Sequence, residues 1–247
     1  MKNICYLLLF VSQVFWGQAA FDQGNQYYQK GNYQKAIASY ESILKTGQHS
    51  ADLYFNLGNS YYKLNQVAPA IFNFEKALLL KPNDKEIISN LSFAQKMTID
   101  EVVEVPKVGF SRIIQDVTAF FHYDTWAWLT VSLSLLFLGC FLGYYFSDKV
   151  LLKRFFFTTM IFLVLFMIIS FLAGFFQRDI SNNERPAIVF LDVASVKSEP
   201  KSNATNAFVL HAGTKVFVLD TFENFKKVQL LDLKNGWIEA SAIKELK

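Results

Sequence analysis

Hydrophobic positions along the chain change their period several times, and each period predicts a different element. Lys2 precedes an apolar run, Ile4 to Trp16, that is too short to span a bilayer; Gly17 and Ala19 then stand at the minus three and minus one places of a secretory cleavage site. This predicts a signal peptide over 1–19 and a mature start at Ala20, with an uncleaved anchor as the alternative. Apolar residues at helical spacing follow over 20–98, then an aperiodic stretch, 99–109, that ends its EVVEVP run at Pro106 and reads as an extended linker. Over 110–122, Phe110, Ile113, Ile114, Val117, Phe120 and Phe121 recur at three and four residues, giving an amphipathic helix. Two places suit it: the membrane interface, or the underside of the preceding helices.

Residues 126–146 and 155–176 are uncharged and apolar, and at 1.5 Å per residue they reach about 31 and 33 Å, enough to cross a hydrocarbon core of roughly 30 Å. The loop between them, 147–154, carries Lys149, Lys153 and Arg154 against Asp148, which predicts the cytoplasmic side for the turn. Both flanks then lie on the periplasmic face of the inner membrane, and the protein is multi-pass. Neither span holds an ionisable residue or a proline, the usual marks of a transport pathway. Gly139 with Gly143, and Ser170 with Gly174, are small pairs four apart, suited either to sealing the hairpin or to docking another helix. After a second linker, 177–185, the pattern of 186–247 shortens to β-rich runs, Ile188 to Val196, Ala207 to His211, Lys215 to Leu219, Lys226 to Leu231 and Trp237 to Ile238, punctuated by Ala212-Gly213 and Asn235-Gly236 turns.

Within the helical region, Tyr54, Leu57, Gly58, Tyr61, Ala70, Phe74, Ala77 and Pro82 occupy the eight marked positions of a 34-residue repeat. Thirty-four residues earlier stand Gly24, Tyr27, Ala36, Tyr40 and Ile43, with the weaker Ala20 and Gln23 ahead of them. Thirty-four later, Ile88, Leu91 and Ser92 lie on a helix from about Lys85 to Met97 that has no following mate, as a closing helix should. The count is five helices. The region resembles the tetratricopeptide family, whose inner helices line a docking groove. That resemblance puts Phe21, Asn25 and Tyr28, then Phe55, Asn59 and Tyr62, then Ser89 and Phe93 at groove positions. Asparagines there hold an extended peptide by its amides, whereas a carboxylate clamp also needs cations where this chain has Phe21, Ser89 and Phe93. An aromatic, weakly charged groove for an apolar peptide or helix is implied, unless these rings pack on the chain's own linker or fill the inner wall.

Five short strands in about 60 residues predict a small barrel that manages its edges by near closure. The strings VKSEP, FVLHAGTKVFVLD and KKVQLLDLKNGWIEASAIKEL resemble the bacterial SH3 family, which implies envelope location and binding of cell-wall peptides or partner proteins. The paired tyrosines of polyproline-binding relatives are missing. Trp237 is a candidate contact, though Gly-Trp better suits a structural place at the barrel seam; Phe222 and Phe225, flanking a predicted hairpin tip, are better candidates for exposed contact. The fold class is therefore a multidomain membrane protein: an α-helical tetratricopeptide solenoid, a two-helix transmembrane hairpin and a small all-β SH3-like barrel.

Charge alters little in this picture. The net +3 divides into eight lysines against nine acids over 20–106 and ten basic against nine acidic residues over 177–247, so no basic stripe for nucleic acid exists. Of the two cysteines, Cys5 lies in the signal and Cys140 in the first span, so the mature chain forms no internal disulfide. His49, His122 and His211 stand apart with no ligand at metal-binding spacing, and no glycine-rich phosphate loop follows a strand. The expectation is a protein without enzymatic activity, cofactor or metal.

The order of parts resembles the TPR and SH3 membrane component of the Bacteroides aerotolerance (Bat) systems. That resemblance implies a non-enzymatic scaffold partnered with membrane proteins carrying von Willebrand A domains, in envelope assembly or stress tolerance. The alternative is a protein that grips peptidoglycan through the SH3-like region.

Overall fold

The computed structural model describes residues 19–101, 114 and 116–247. The predicted signal peptide, most of the first linker and the opening turn of the 110–122 helix lie outside them. The chain forms two compact units, one combining the N-terminal region to Val105 with Arg185–Lys247, the other Pro106–Glu184. The N- and C-terminal regions are thus parts of one body, not two modules with only membrane between them.

In the first unit, α1 (residues 19–29), α2 (Tyr33–Lys45), α3 (Ala51–Lys63), α4 (Val67–Leu80) and α5 (Lys85–Gln95) stack in antiparallel succession. Local chemistry sets the starts. The Ser50 hydroxyl accepts the Leu53 N–H at 3.1 Å, and the Asp84 carboxylate accepts from Glu86 and Ile87 at 3.0 and 3.3 Å, each satisfying backbone donors that a helix start leaves free. Ala36, Tyr40, Ile43, Leu53 and Leu57 form the first core, while Tyr54, Ala70, Ile71, Phe74, Ala77, Ile87, Leu91 and Ala94 form the second.

That second core does not end with helices: Ile188 and Leu246 belong to it, both about 1 % exposed or less. They come from a seven-stranded antiparallel sheet of β1 (Pro186–Val189), β2 (Val193–Lys197), β3 (Asn206–His211), β4 (Lys215–Phe222), β5 (Phe225–Gln229), β6 (Asn235–Glu239) and β7 (Ile243–Glu245), in the order β3-β2-β6-β5-β4-β1-β7. The order is open, with β3 and β7 at its edges, where five strands closing into a barrel were expected. The run Ile188 to Val196, expected as one strand, is two, separated by a bend at Leu191 and Asp192, and all four residues of β1 are buried. Ala187 and Val189 face the sheet's own core of Ala194, Val196, Leu210, Val216, Val228 and Ile238, whereas Ile188 enters the helical core. A strand covered on both sides loses the alternation that would mark its ends.

Polar contacts fix how sheet and helices meet. Lys215 Nζ donates to both carboxylate oxygens of Glu75 at 2.8 Å, with Glu75 almost wholly buried on α4. Asp100, expected in a free linker, accepts from the His211 backbone N–H at 2.7 Å and from the Thr214 hydroxyl at 2.5 Å, and its other oxygen sits 2.7 Å from His211 Nδ1. Burial pushes the Asp100 carboxyl up, but the hydrogen bonds from Thr214 and His211 outweigh it and hold it below the usual 3.8. Between these contacts Gly213 has φ +95°, and a Cβ there would come within 2.9 to 3.1 Å of Thr98, Val67 and Ile71. At the other chain crossing, Arg185 grips Glu245 with Nε and Nη2 at 3.0 Å and Lys226 adds a third bond at 2.7 Å.

The second unit is an antiparallel pair, α6 (Tyr123–Phe146) and α7 (Val150–Asn183), both long and apolar enough to cross a membrane. Ahead of it residues 116–118 are helical and end in a turn, and the Thr118 carbonyl accepts the Trp126 indole N–H at 3.0 Å. Helix α7 begins five residues before the expected 155 and runs through the expected linker to Asn183, because no proline interrupts it before Pro186 and no glycine follows Gly174. The connecting turn shrinks to Ser147–Lys149. Cys140, Met160 and Leu163 form the contact between the helices; a Cβ on Gly143 would strike the Phe156 ring at 2.7 Å, and one on Gly174 would meet Trp126 at 3.0 Å. Gly139 faces open space. Three of the four small residues therefore serve the hairpin itself.

Two outcomes test the joint between helices and sheet. Gly213→Ala, strained and crowded at once, lowers stability by about 2 kcal/mol or more, while Gly47→Ala, also at positive φ but with open space around it, costs about 1 kcal/mol; denaturation followed by tryptophan emission measures both, and equal costs would refute the packing argument. Asp100→Asn costs about 2 kcal/mol at neutral pH. Because folding depresses the Asp100 carboxyl, its contribution is complete above the ordinary 3.8 and is lost as pH falls through the folded-state value. The variant should therefore show a shallower acid limb than the wild type as pH falls below the ordinary 3.8, and an unchanged limb would count against the clasp.

Candidate functional site

The inner helices α1, α3 and α5 carry the groove positions in register. Phe21 lies against Tyr40, ring centroids 5.8 Å apart and tilted 52°; 34 residues on, Phe55 lies against Phe74 at 5.9 Å and 51°. Phe21 and Phe55 are half-buried, each over a partner, Tyr40 or Phe74, that is buried in the core of its own repeat. Tyr28 meets Tyr33 edge-on at 5.3 Å, Tyr62 is half-buried, and Phe93 on α5 is 50 % exposed with Lys96 Nζ 5.4 Å above its ring.

The asparagines do something the repeat pattern did not reveal. Asn25 Oδ1 accepts from Asn56 Nδ2 at 3.0 Å and from the Tyr40 hydroxyl at 2.7 Å; Asn59 Oδ1 accepts from Asn90 Nδ2 at 2.9 Å. Both amide pairs are 31 residues apart, so each links one inner helix to the next. Their acceptor oxygens are engaged within the stack. Among the described hydrogen bonds, the Nδ2 groups of Asn25 and Asn59 have no partner, and neither do the Oδ1 atoms of Asn56 and Asn90. The groove is left with two donors and two acceptors at a repeating interval, a pattern matching the carbonyls and amides of an extended backbone. Asn56 and Asn90 were not singled out in the sequence; their spacing of 34 from each other was the available signal.

Burial sets the ionisation of the groove's tyrosines. It pushes Tyr40 up to about 12, with help from Tyr28 and against the hydrogen bond with Asn56, and it raises Tyr28 as well. Tyr61 rises further, first by burial and then because its hydroxyl donates to Glu41 at 2.5 Å. All stay neutral donors at physiological pH, and none is suited to proton transfer there.

On the sheet, Phe222 is half-exposed and meets Trp237 edge-on at 6.5 Å, forming one aromatic patch. Phe225 does not join it. Only 7 % exposed, it pairs with Phe222 on one side and Glu239 on the other, one residue inside the hairpin tip where neighbouring strands cover it. A cavity of about 410 Å³ lies instead where β2 and β6 part beyond their single pairing, Lys197 with Trp237, bordered by Val193, Ser195, Asn206, Ile238 and Glu239.

The histidines have partners but no shared centre: His49 Nδ1 is 2.8 Å from the Tyr54 hydroxyl, His122 is 3.2 Å from Asp124, and His211 belongs to the Asp100 clasp. Among the described residues no group of three His, Cys, Asp or Glu could hold a metal ion. The Asp100, His211 and Thr214 cluster has the residue types of a catalytic triad, but the hydroxyl donates to the carboxylate and not to the imidazole. Its hydroxyl is therefore held by the carboxylate with no imidazole facing it, and Thr214 is buried.

Two family models match the chain, one described as a TPR repeat over residues 24–65 and one as a tetratricopeptide repeat over 51–84. No curated protein matches it. The helical part of the first unit is therefore a tetratricopeptide repeat region, a protein-interaction module built on two repeats and the closing helix α5.

Proposed function

We propose that this protein is a non-enzymatic membrane scaffold, in which α6 and α7 span the inner membrane as a hairpin and hold the repeat and sheet body on the periplasmic side. The observation that carries the reading is the repeated asparagine ladder with its unused amide groups, set among half-exposed aromatics on the inner helices. Such a surface binds an extended or helical apolar segment of another protein through its backbone, with little demand on charge. The membrane part of the reading rests on two helices whose outward residues, Leu135, Phe166 and Phe171 among them, are more than half exposed and apolar, an exposure that water does not tolerate over so large an area. Lys149 in the turn and Lys153 and Arg154 in the first turns of α7 set the orientation.

The arrangement of parts suits a Bat-type envelope complex, with von Willebrand A-domain membrane proteins as partners. Within it the sheet acts as an SH3-like module, a reading supported by the sequence resemblance of its H-x-G-T turn and Gly236-Trp237 to that family. Peptidoglycan is the second reading, favoured by exposed Phe222 beside half-buried Trp237, since aromatic faces suit sugar rings and peptide stems.

Partner capture from detergent-solubilised membranes decides between the surfaces. Asn59→Ala with Tyr62→Ala is expected to cut recovery of a co-purifying membrane protein by about tenfold, the scale of two lost hydrogen-bonding and ring contacts, while Phe222→Ala with Trp237→Ala leaves it unchanged. The reverse pattern, with loss of binding to purified sacculi in the sheet variant, would favour the cell-wall reading. For orientation, a cysteine at Asp148 should react with a membrane-impermeant maleimide only after the inner membrane is opened, and a periplasmic reporter at Lys247 should be active.

A further inference from the structure

Between α6 and α7, at the end where Tyr123 and Asn183 lie, is a groove of about 680 Å³. Its walls are Ala127, Val131, Phe171 and Phe175, with Gly174 at its middle, where α7 packs closely against Trp126 of α6. Thr130 and Ser170 border it as well, but their hydroxyls are engaged with each other and with the Trp126 carbonyl, all at 3.0 Å. The groove thus asks for an apolar occupant along its length. Its mouth is different. Asp124 stands on α6 and Arg178 on α7, with Asn182 one turn beyond Arg178 on the same face. Asp124 is 67 % exposed and touches only His122 among the described ion pairs; Arg178 has no described ion pair. From Arg178 to Phe171 is about 10 Å along the helix. Both charged residues lie within two positions of the ends of the uncharged segments, the level of lipid headgroups.

We propose that this groove binds one phosphatidylethanolamine molecule: an acyl chain lies along Val131, Phe171 and Phe175, the phosphate meets Arg178 and Asn182, and the ammonium meets Asp124. The charge pattern selects the headgroup. A lipid with phosphate alone would satisfy Arg178 but place its negative charge beside Asp124, whereas a headgroup carrying both signs meets both residues. The site lies at the junction of the two helices, so a bound lipid joins them at the end farther from their connecting turn. The inference rests on the reading of α6 and α7 as a membrane hairpin.

Native mass spectrometry of the full-length protein, delipidated in mild detergent and titrated with phosphatidylethanolamine or phosphatidylglycerol of identical chains, tests it. The wild type should retain phosphatidylethanolamine about fivefold better, the scale of one ion pair at a solvent edge. Asp124→Asn should bring the ratio to about one without weakening phosphatidylglycerol. Arg178→Gln should weaken both, and Val131→Trp, which fills the wall from an exposed position, should remove both adducts at unchanged helicity. Equal retention of the two lipids by the wild type, or adducts undiminished by Val131→Trp, would overturn the proposal. Alkaline carbonate washing separates the two levels: protein that stays in the membrane pellet but shows no headgroup preference refutes the lipid site alone, and protein released by the wash refutes the membrane reading with it.

Discussion

The docking of β1 and the chain's end onto α4 governs the first unit, because it supplies what two tetratricopeptide repeats cannot supply for themselves. A stacked repeat buries its apolar face only against a neighbour, and the second repeat here is followed in sequence by one closing helix and then by the linker. Ile188 and Leu246 fill the remaining side of its core, with Phe190 meeting Phe72 edge-on at 5.6 Å and Lys244 lying 4.3 Å over the Phe190 ring. Buried Glu75 could not be tolerated on α4 without Lys215, since an unpaired charge at that depth costs several kcal/mol. Each half completes the other.

The same joint controls how the chain leaves and re-enters the unit. Asp100, the penultimate residue described before the chain departs, is held by three donors from the β3–β4 turn, and Arg185, the first residue after the return, is held by Glu245. These are charge-assisted contacts at least partly shielded from water, stronger than ordinary surface pairs. The 84 residues between them form an insertion into one body, and the ends of that insertion are fixed on the sheet. Tension at either end would reach β3, β4 or β7 directly.

Much of this architecture was legible wherever periodicity is a local property. The 34-residue spacing located Gly58, Tyr61, Ala70 and Phe74 on the correct helices, and the uncharged runs located α6 and α7. What escaped had a common cause. Asp100 reads as linker because its partners are 111 and 114 residues away. The β1 strand merged with β2 because burial on two faces erases alternation. Phe225 was expected at the surface from its nearness to a turn, yet strand neighbours that only the pairing order reveals cover it. For the groove the ring positions were readable, but the amide ladder was not. An asparagine's side chain can bond to a neighbour or to a ligand, and sequence alone does not distinguish the two.

A single body changes what scaffolding means here. Had repeats and sheet been independent modules, a partner on one would leave the other unaffected, and their proximity would raise only effective concentration. With Ile188 and Leu246 in the repeat core, a ligand that shifts α3 against α4 acts on the same packed residues that position β1. The residues that make the joint, Val67, Ile71, Phe72, Glu75, Thr98 and Asp100, are distinct from the groove positions on α1, α3 and α5. Docking therefore braces the repeats without covering the asparagine ladder. Binding in the groove and order in the sheet then share a free energy, and coupling between them follows from the packing itself, with no need for a moving linker.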